Sequence, residues 1–150
     1  MCNSVESVSE GHQPSEFWLG IAQFNEGEYY ACHDTLEAIW MDAEQSNRAF
    51  YQGILQIAVG LYHLTNLNWQ GAAILLGEGS HRLDAYGESY GGIDVSDLIN
   101  QAIDWLTALQ AIGPERVHQL APVLLDRNAH APQIAVDSDI KLIIPQIKRA

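Results

Sequence analysis

Apolar side chains recur every three or four residues along most of the chain, which is the spacing of amphipathic helices. The first such segment follows Pro14 and ends in the polar stop at residues 25–27. The second runs from about residue 28 to residue 43. Residues 48–65 are apolar on nearly every face, so we expect this third segment to be the central helix.

The same spacing predicts further helices in the second half of the chain. Residues 45–47 are polar and would separate the second helix from the third. A fourth helix over residues 69–86 carries small side chains that would let a neighbouring helix approach closely. Asp94 has the character of an N-cap for a fifth helix, which stops at Gly113. Residues 114–125 are compatible with a short sixth helix.

These elements predict an all-α fold, a compact bundle of about five helices in a single domain over residues 14–150. Residues 1–13 are too polar to offset the entropy of ordering and predict a flexible N-terminal arm. Residues 127–139 are loop-like, and residues 140–147 form an apolar extended segment broken by Pro145. We therefore expect an irregular C-terminal tail.

The charge balance and the apolar runs exclude several classes of partner. Seven Lys and Arg residues against nineteen Asp and Glu residues give a formal charge of −12. Because phosphate binding needs a basic patch, we expect no nucleic-acid partner. No apolar run reaches the roughly 18 residues of a membrane span, and the N-terminus lacks the features of a signal peptide. We expect no membrane partner and a cytoplasmic location, with Cys2 and Cys32 as reduced thiols.

Polar side chains interrupt the apolar faces of the second and third helices. At ~100° per residue, His33 and Glu37 lie one turn apart at the edge of the apolar face, beside Tyr30. The third helix carries one polar band, which consists of Arg48, Gln52, Gln56 and His63. An unpaired buried amide or imidazole costs on the order of 1–3 kcal/mol, so this band needs polar partners. We expect the short link to make the two helices antiparallel. One crevice between them would then be lined by the ligand-binding candidates His33, Glu37, Gln52, Gln56 and His63. Tyr30, Trp40 and Arg48 would support this crevice.

Three uses of this crevice remain open from the residues alone. His33 and Glu37 have the i, i+4 spacing of two ligands on one side of a divalent metal ion, and His63 would be the third. A carboxylate beside an imidazole is also suited to acid/base catalysis. Alternatively, Glu37 bonds a histidine or glutamine across the helix pair and only fixes its register.

Other catalytic signatures fail on inspection of the sequence. Glu78 and His81 have the spacing of a di-iron ligand pair, but both are expected on or near solvent, away from the apolar side of the fourth helix. Cys32 points about 100° away from His33 on a helix, so the two residues do not form a nucleophile and base pair. The chain contains neither a phosphate-binding glycine loop nor a GxSxG elbow.

Two long motifs carry a resemblance to a known family. The string FNEGEYYACHDTLEAIW occupies residues 24–40, and FYQGILQIA occupies residues 50–58, followed by His63 and by NWQGA at residues 68–72. Over about residues 17–90 the chain resembles the small all-helical prokaryotic family known as domain of unknown function 309. The resemblance implies a helical bundle without an assigned activity, and His33, Glu37, Gln52, Gln56 and His63 all fall on its motifs. Asp34 stands where Glu is more usual.

Together these observations predict a small helical protein whose polar crevice binds a small molecule or a divalent metal. The alternative is a structural or protein-interaction module, such as a homodimer, in which the crevice only fixes helix packing. The identity of the ligand, the presence of an enzymatic activity and the role of residues 91–150 are open at this point.

Overall fold

The chain is an all-α protein in a computed structural model that describes residues 13–125, 134–136 and 140–150. Six α-helices lie in these ranges: α1 Ser15–Asn25, α2 Tyr29–Asp42, α3 Gln45–Thr65, α4 Trp69–Leu83, α5 Val95–Ile112 and α6 Val117–Leu125. Two antiparallel hairpins pair β1 Ser89–Tyr90 with β2 Ile93–Asp94, and β3 Ile134–Val136 with β4 Ile140–Leu142. The predicted fold class is confirmed, and the predicted arm lies outside the described residues except for Gln13.

Helix α3 is the centre of the bundle, as its apolar pattern predicts. It packs against α2, α4 and α6, and its buried side chains include Phe50, Ile54 and Leu61. The helix begins at residue 45 rather than 48, because the Glu44 carbonyl oxygen accepts bonds from the backbone N–H groups of residues 47 and 48. The polar residues 45–47, predicted as a break, therefore form its first turn.

Helices α3 and α4 approach each other closely through glycine. A Cβ atom added to Gly79 would lie 2.8 Å from the Gly53 carbonyl oxygen and 3.0 Å from the Ile57 nitrogen. A Cβ atom added to Gly60 would lie 3.1 Å from the Leu76 nitrogen. The close approach predicted from the small residues of the fourth helix is confirmed, and it uses backbone-to-backbone contact that any side chain would prevent.

The segment between α4 and α5 is a hairpin rather than an irregular loop. Helix α4 ends at Leu83 and continues as a 3-10 turn to Tyr86. Gly91 and Gly92 follow β1 with φ values of 63° and 88°, as in a type I′ turn, and glycine adopts positive φ without strain. After β2, the Asp94 side chain accepts a bond of 3.0 Å from the Asp97 N–H, so the predicted N-cap of α5 is confirmed.

The last ten residues are held to the bundle by backbone bonds to residues 92 and 94 and by two side-chain amides. Gln101 of α5 donates to the Gln146 carbonyl at 2.8 Å and accepts from the Gln146 N–H at 3.0 Å. On the opposite side, Asn25 donates to the Ile147 carbonyl at 3.0 Å and accepts from the Ile147 N–H at 2.6 Å. Each amide pairs with both polar groups of one residue, as a neighbouring strand does, so we name this arrangement the amide clamp.

The predicted tail is thus irregular but tightly packed where the structure describes it. Leu142 and Ile147 are buried, and the Trp105 indole N–H donates to the Ile143 carbonyl at 2.9 Å. The predicted loop over residues 127–139 contains strand β3, which the sequence analysis missed. The remainder of that loop lies outside the described residues. None of the described helices is both long and apolar enough to span a membrane.

Candidate functional site

One turn of α2 brings together three potential metal ligands. His33, Asp34 and Glu37 each offer one ligand atom, and these atoms all lie within 4.8 Å of one another. The His33 Nδ1 atom lies 3.2 Å from an Asp34 carboxylate oxygen. His33 is half-buried, whereas Asp34 and Glu37 are exposed. We name this group the α2 cluster.

The α2 cluster has the composition of a surface site for a divalent ion. An imidazole nitrogen suits Zn²⁺, Ni²⁺ and Cu²⁺, and carboxylate oxygens bind the same ions as well as Mn²⁺. Ligands of a tetrahedral zinc ion at about 2.1 Å lie roughly 3.4 Å from one another, so small rotations of exposed side chains would bring the three atoms into range. Three protein ligands leave at least one coordination position for water or a bound molecule.

The third ligand predicted from the sequence, His63, is not part of this cluster. Among the described residues, no group that could share an ion contains His63. Its Nδ1 atom lies 3.3 Å from the side-chain nitrogen of Asn68, which can only donate. Asn68 is held in this orientation because its oxygen caps α4 by accepting from the Gly71 N–H at 2.9 Å. His63 thus contacts the N-cap residue of α4 in the turn between α3 and α4. Asp34, which the sequence analysis did not include, takes its place among the potential ligands.

An aromatic row connects the α2 cluster to His63. The ring centroids of His33 and Tyr30 are 5.4 Å apart, and those of Tyr30 and Tyr62 are 5.1 Å apart. The Tyr62 and His63 centroids follow at 6.3 Å. Tyr30 is 51% exposed and Tyr62 is 36% exposed. The α2 cluster is therefore flanked by aromatic side chains that are partly exposed to solvent. Tyr30 lies beside His33, as the helical spacing predicts.

Glu37 also lies over a small cleft between α2 and α3. Glu37, Trp40, Gln52 and Leu55 line this cleft of about 140 Å³. The Glu37 side chain makes no hydrogen bond to Gln52 or to any other residue that the structure describes. The Trp40 indole nitrogen is buried and lacks a hydrogen-bond partner among the same residues. Glu37 and Gln52 thus line one cleft, without the direct bond across the helix pair that would fix its register.

Arg48 of α3 bonds the carbonyl groups at the C-terminal end of α2. Its guanidinium donates to the Ala43 carbonyl at 3.1 Å and to the Met41 carbonyl at 3.3 Å. The guanidinium carbon also lies 5.3 Å from the centre of the Trp40 ring. Arg48 therefore neutralises the carbonyl end of the helix and stacks on the indole, which is a packing role.

The Gln56 side chain bonds residues of α4 rather than residues of α2. Its side-chain nitrogen donates to the Glu78 carboxylate at 3.3 Å, and its oxygen accepts from the Arg82 guanidinium at 3.0 Å. Both partners belong to α4, so the expectation that Gln56 faces the second helix is wrong. Glu78 and His81 are exposed, as predicted. Gln56 therefore links a carboxylate and a guanidinium inside the α3–α4 contact.

Cys32 is inert in the folded protein, because burial raises the pKa of its thiol to about 12. At pH 8 only about one thiol in ten thousand would be ionised, and the thiolate is the reactive form. In a Cys2→Ser variant, we expect no reaction of the native protein with Ellman's reagent at pH 8. One thiol per chain should react after unfolding in guanidinium. A native thiol that reacts within minutes would contradict the buried position of Cys32.

The chain is similar to one family of proteins. The family model described as domain of unknown function (DUF309) matches residues 17–75, which confirms the resemblance predicted from the motifs. The matched range contains the α2 cluster, the aromatic row and Gln56, whereas the partners of Gln56, Glu78 and Arg82, lie beyond it. No curated protein and no solved structure matches the chain.

Proposed function

We propose that this chain, whose residues 17–75 carry the DUF309 family pattern, binds a divalent transition-metal ion through His33, Asp34 and Glu37. The observation that supports the proposal is the spacing of three ligand atoms within 4.8 Å on one exposed helical turn. The ion would keep open positions toward solvent, and these positions would take water or a small ligand.

The surroundings of the cluster favour an ion that also interacts with a small molecule. Tyr30 and Tyr62 stand beside His33 and supply aromatic surface for the apolar part of such a molecule. The formal charge of −12 attracts cations to the protein surface. Because two of the ligands are exposed, we expect an exchangeable ion rather than a permanently bound structural one.

The proposal predicts a thermal stabilisation that depends on the α2 cluster. At about one hundred times its dissociation constant, an ion that binds only the folded state stabilises it by about 2.7 kcal/mol. For a chain of this size that corresponds to a rise in Tm of roughly 5 °C or more. A scan with Zn²⁺, Ni²⁺ and Mn²⁺ should show this rise for the natural chain.

Two variants separate this site from weak binding by other histidines. His33→Ala should remove the rise in Tm, whereas His118→Ala, which changes an exposed histidine of α6, should leave it unchanged. Asp34→Asn should weaken the effect without changing the fold, because the Asp34 side chain is exposed. An equal rise in the natural chain and in His33→Ala would overturn the proposal, as would no rise with any of the three ions.

A non-catalytic interaction module is the second candidate, and two observations favour it. Both hydrogen bonds of the Gln56 side chain are made to residues of α4, so this residue has a structural role. The aromatic row exposes two tyrosine rings at the α2–α3 surface. Such a surface fits the expected homodimer. Sedimentation equilibrium would show a dimer that the double variant Tyr30→Ser, Tyr62→Ser dissociates. A natural chain that stays monomeric at high micromolar concentration would exclude the homodimer.

A further inference from the structure

We propose a second binding site, for a small amphipathic amine, in the groove between α4 and α5. The groove has a volume of about 420 Å³, within the range of small-molecule sites. The residues that line it include Gly77 and Ser80 of α4, Ile99, Ile103 and Leu106 of α5, and Asp84, which follows the end of α4. This α4–α5 groove is separate from the α2 cluster and shares no residue with it.

The first observation that points to a ligand is the Ser80 hydroxyl. Ser80 is only 6% exposed, and its Oγ atom has no hydrogen-bond partner among the described residues. A buried hydroxyl without a partner costs free energy, so such groups are uncommon in folded proteins. Ser80 also lines the groove, so this hydroxyl could bond a ligand there without breaking an existing bond.

The second observation is the empty space above Gly77. A Cβ atom added there would meet only the Leu106 side chain, at 3.8 Å, which is an ordinary van der Waals distance. Gly79, two residues further along the same helix, is in contrast enclosed by the backbone of α3. Gly77 is therefore not required for helix packing, and its missing side chain leaves space in the groove.

The charge of the groove selects the class of ligand. Three apolar side chains line it, Ile99, Ile103 and Leu106, and Ile103 is 44% exposed. Asp84 is the only carboxylate that lines it, His81 is another lining residue, and neither Lys nor Arg lines it. An amine would place its ammonium group near Asp84 and its hydrocarbon body against Ile103 and Leu106. A carboxylic acid of the same size would meet Asp84 without a cation to compensate.

The test uses three probes with the same six-carbon body: hexylamine, hexanol and hexanoate. Each is titrated into the uniformly ¹⁵N-labelled full chain at millimolar concentration, and the backbone amide signals are followed by two-dimensional NMR. We expect hexylamine to shift the signals of Gly77, Ser80 and Leu106 in a saturable way. Hexanol should bind about tenfold more weakly, since it lacks the interaction with Asp84. Hexanoate should not bind.

Variants assign the binding to the groove. Gly77→Leu should fill it and abolish the shifts, whereas Ile74→Ala, which changes an exposed apolar residue of the same helix outside the groove, should not. Asp84→Asn should reduce the affinity for hexylamine to about that for hexanol, and Ser80→Ala should weaken both probes by about threefold to tenfold. Hexanoate binding as tightly as hexylamine would overturn the proposal. Unchanged hexylamine binding by Gly77→Leu, or by Asp84→Asn if Gly77→Leu fails to fold, would also overturn it.

Discussion

Replacing Gly79 by alanine is expected to destabilise the protein by roughly 2 kcal/mol, although alanine favours the helix by about 1 kcal/mol over glycine. The added methyl group would lie 2.8 Å from the Gly53 carbonyl oxygen and 2.8 Å from an Ile57 side-chain carbon. Because one of these contacts is backbone, α3 and α4 must separate to make room. That separation loosens the contact between the central helix and its neighbour.

Gly77 provides the matched control on the same helix. Its added methyl group meets only Leu106, at 3.8 Å, so Gly77→Ala keeps the gain in helix propensity and should stabilise the protein by up to about 1 kcal/mol. Urea unfolding followed by circular dichroism measures both changes. Equal effects of the two substitutions would contradict the close contact between α3 and α4.

Replacing Gln101 by glutamate is expected to destabilise the protein by about 3 kcal/mol or more at pH 7. Gln101 is 5% exposed, and its nitrogen donates both to the Asp97 carboxylate at 2.6 Å and to the Gln146 carbonyl at 2.8 Å. A glutamate would place a buried negative charge against these two oxygens. The amide clamp would lose one of its two sides, and the hold of α5 on residue 146 would weaken.

The neighbouring residue supplies the control for this substitution. Asn100→Asp makes the same chemical change at an exposed position of α5, where the structure shows no such contacts. We expect a change within about 0.5 kcal/mol for it. Unfolding in urea, together with faster hydrogen exchange at residues 146 and 147, would report the loss of the clamp. A Gln101→Glu variant as stable as Asn100→Asp would contradict the role of Gln101.

The helices could be predicted from the sequence because their signals are local. The three- and four-residue spacing, the Asp94 cap and the stop at Gly113 lie within the elements that they define. The amide clamp had no such signal, since Asn25 and Ile147 are 122 residues apart in the chain. In the sequence Asn25 indicates only the end of a helix, and its second role depends on tertiary contacts.

Some residues of the candidate site could likewise be predicted from local spacing, and others depend on tertiary contacts. The pair His33 and Glu37 follows from the pitch of a single helix, and the structure keeps these two side chains together. The helix that Gln56 contacts depends on how α3 is rotated relative to α2 and α4. The sequence shows a polar band on α3, but it does not specify which of these neighbours the band contacts. Helical spacing alone places His63 in the site, and its contact with Asn68 has no signal in the sequence. Asp34 could have been found, since it is adjacent to His33 and carries the ligand type that the site needs.

The most direct test of the proposed function locates a bound ion on the protein. Co²⁺ or Ni²⁺ is titrated into the ¹⁵N-labelled chain, and the loss of amide signals by paramagnetic broadening is recorded residue by residue. The account predicts that the signals of residues 30–40 disappear first, and that His33→Ala abolishes this loss while His118→Ala does not. Broadening centred on any other histidine, or none at stoichiometric ion, would contradict a metal site at His33, Asp34 and Glu37.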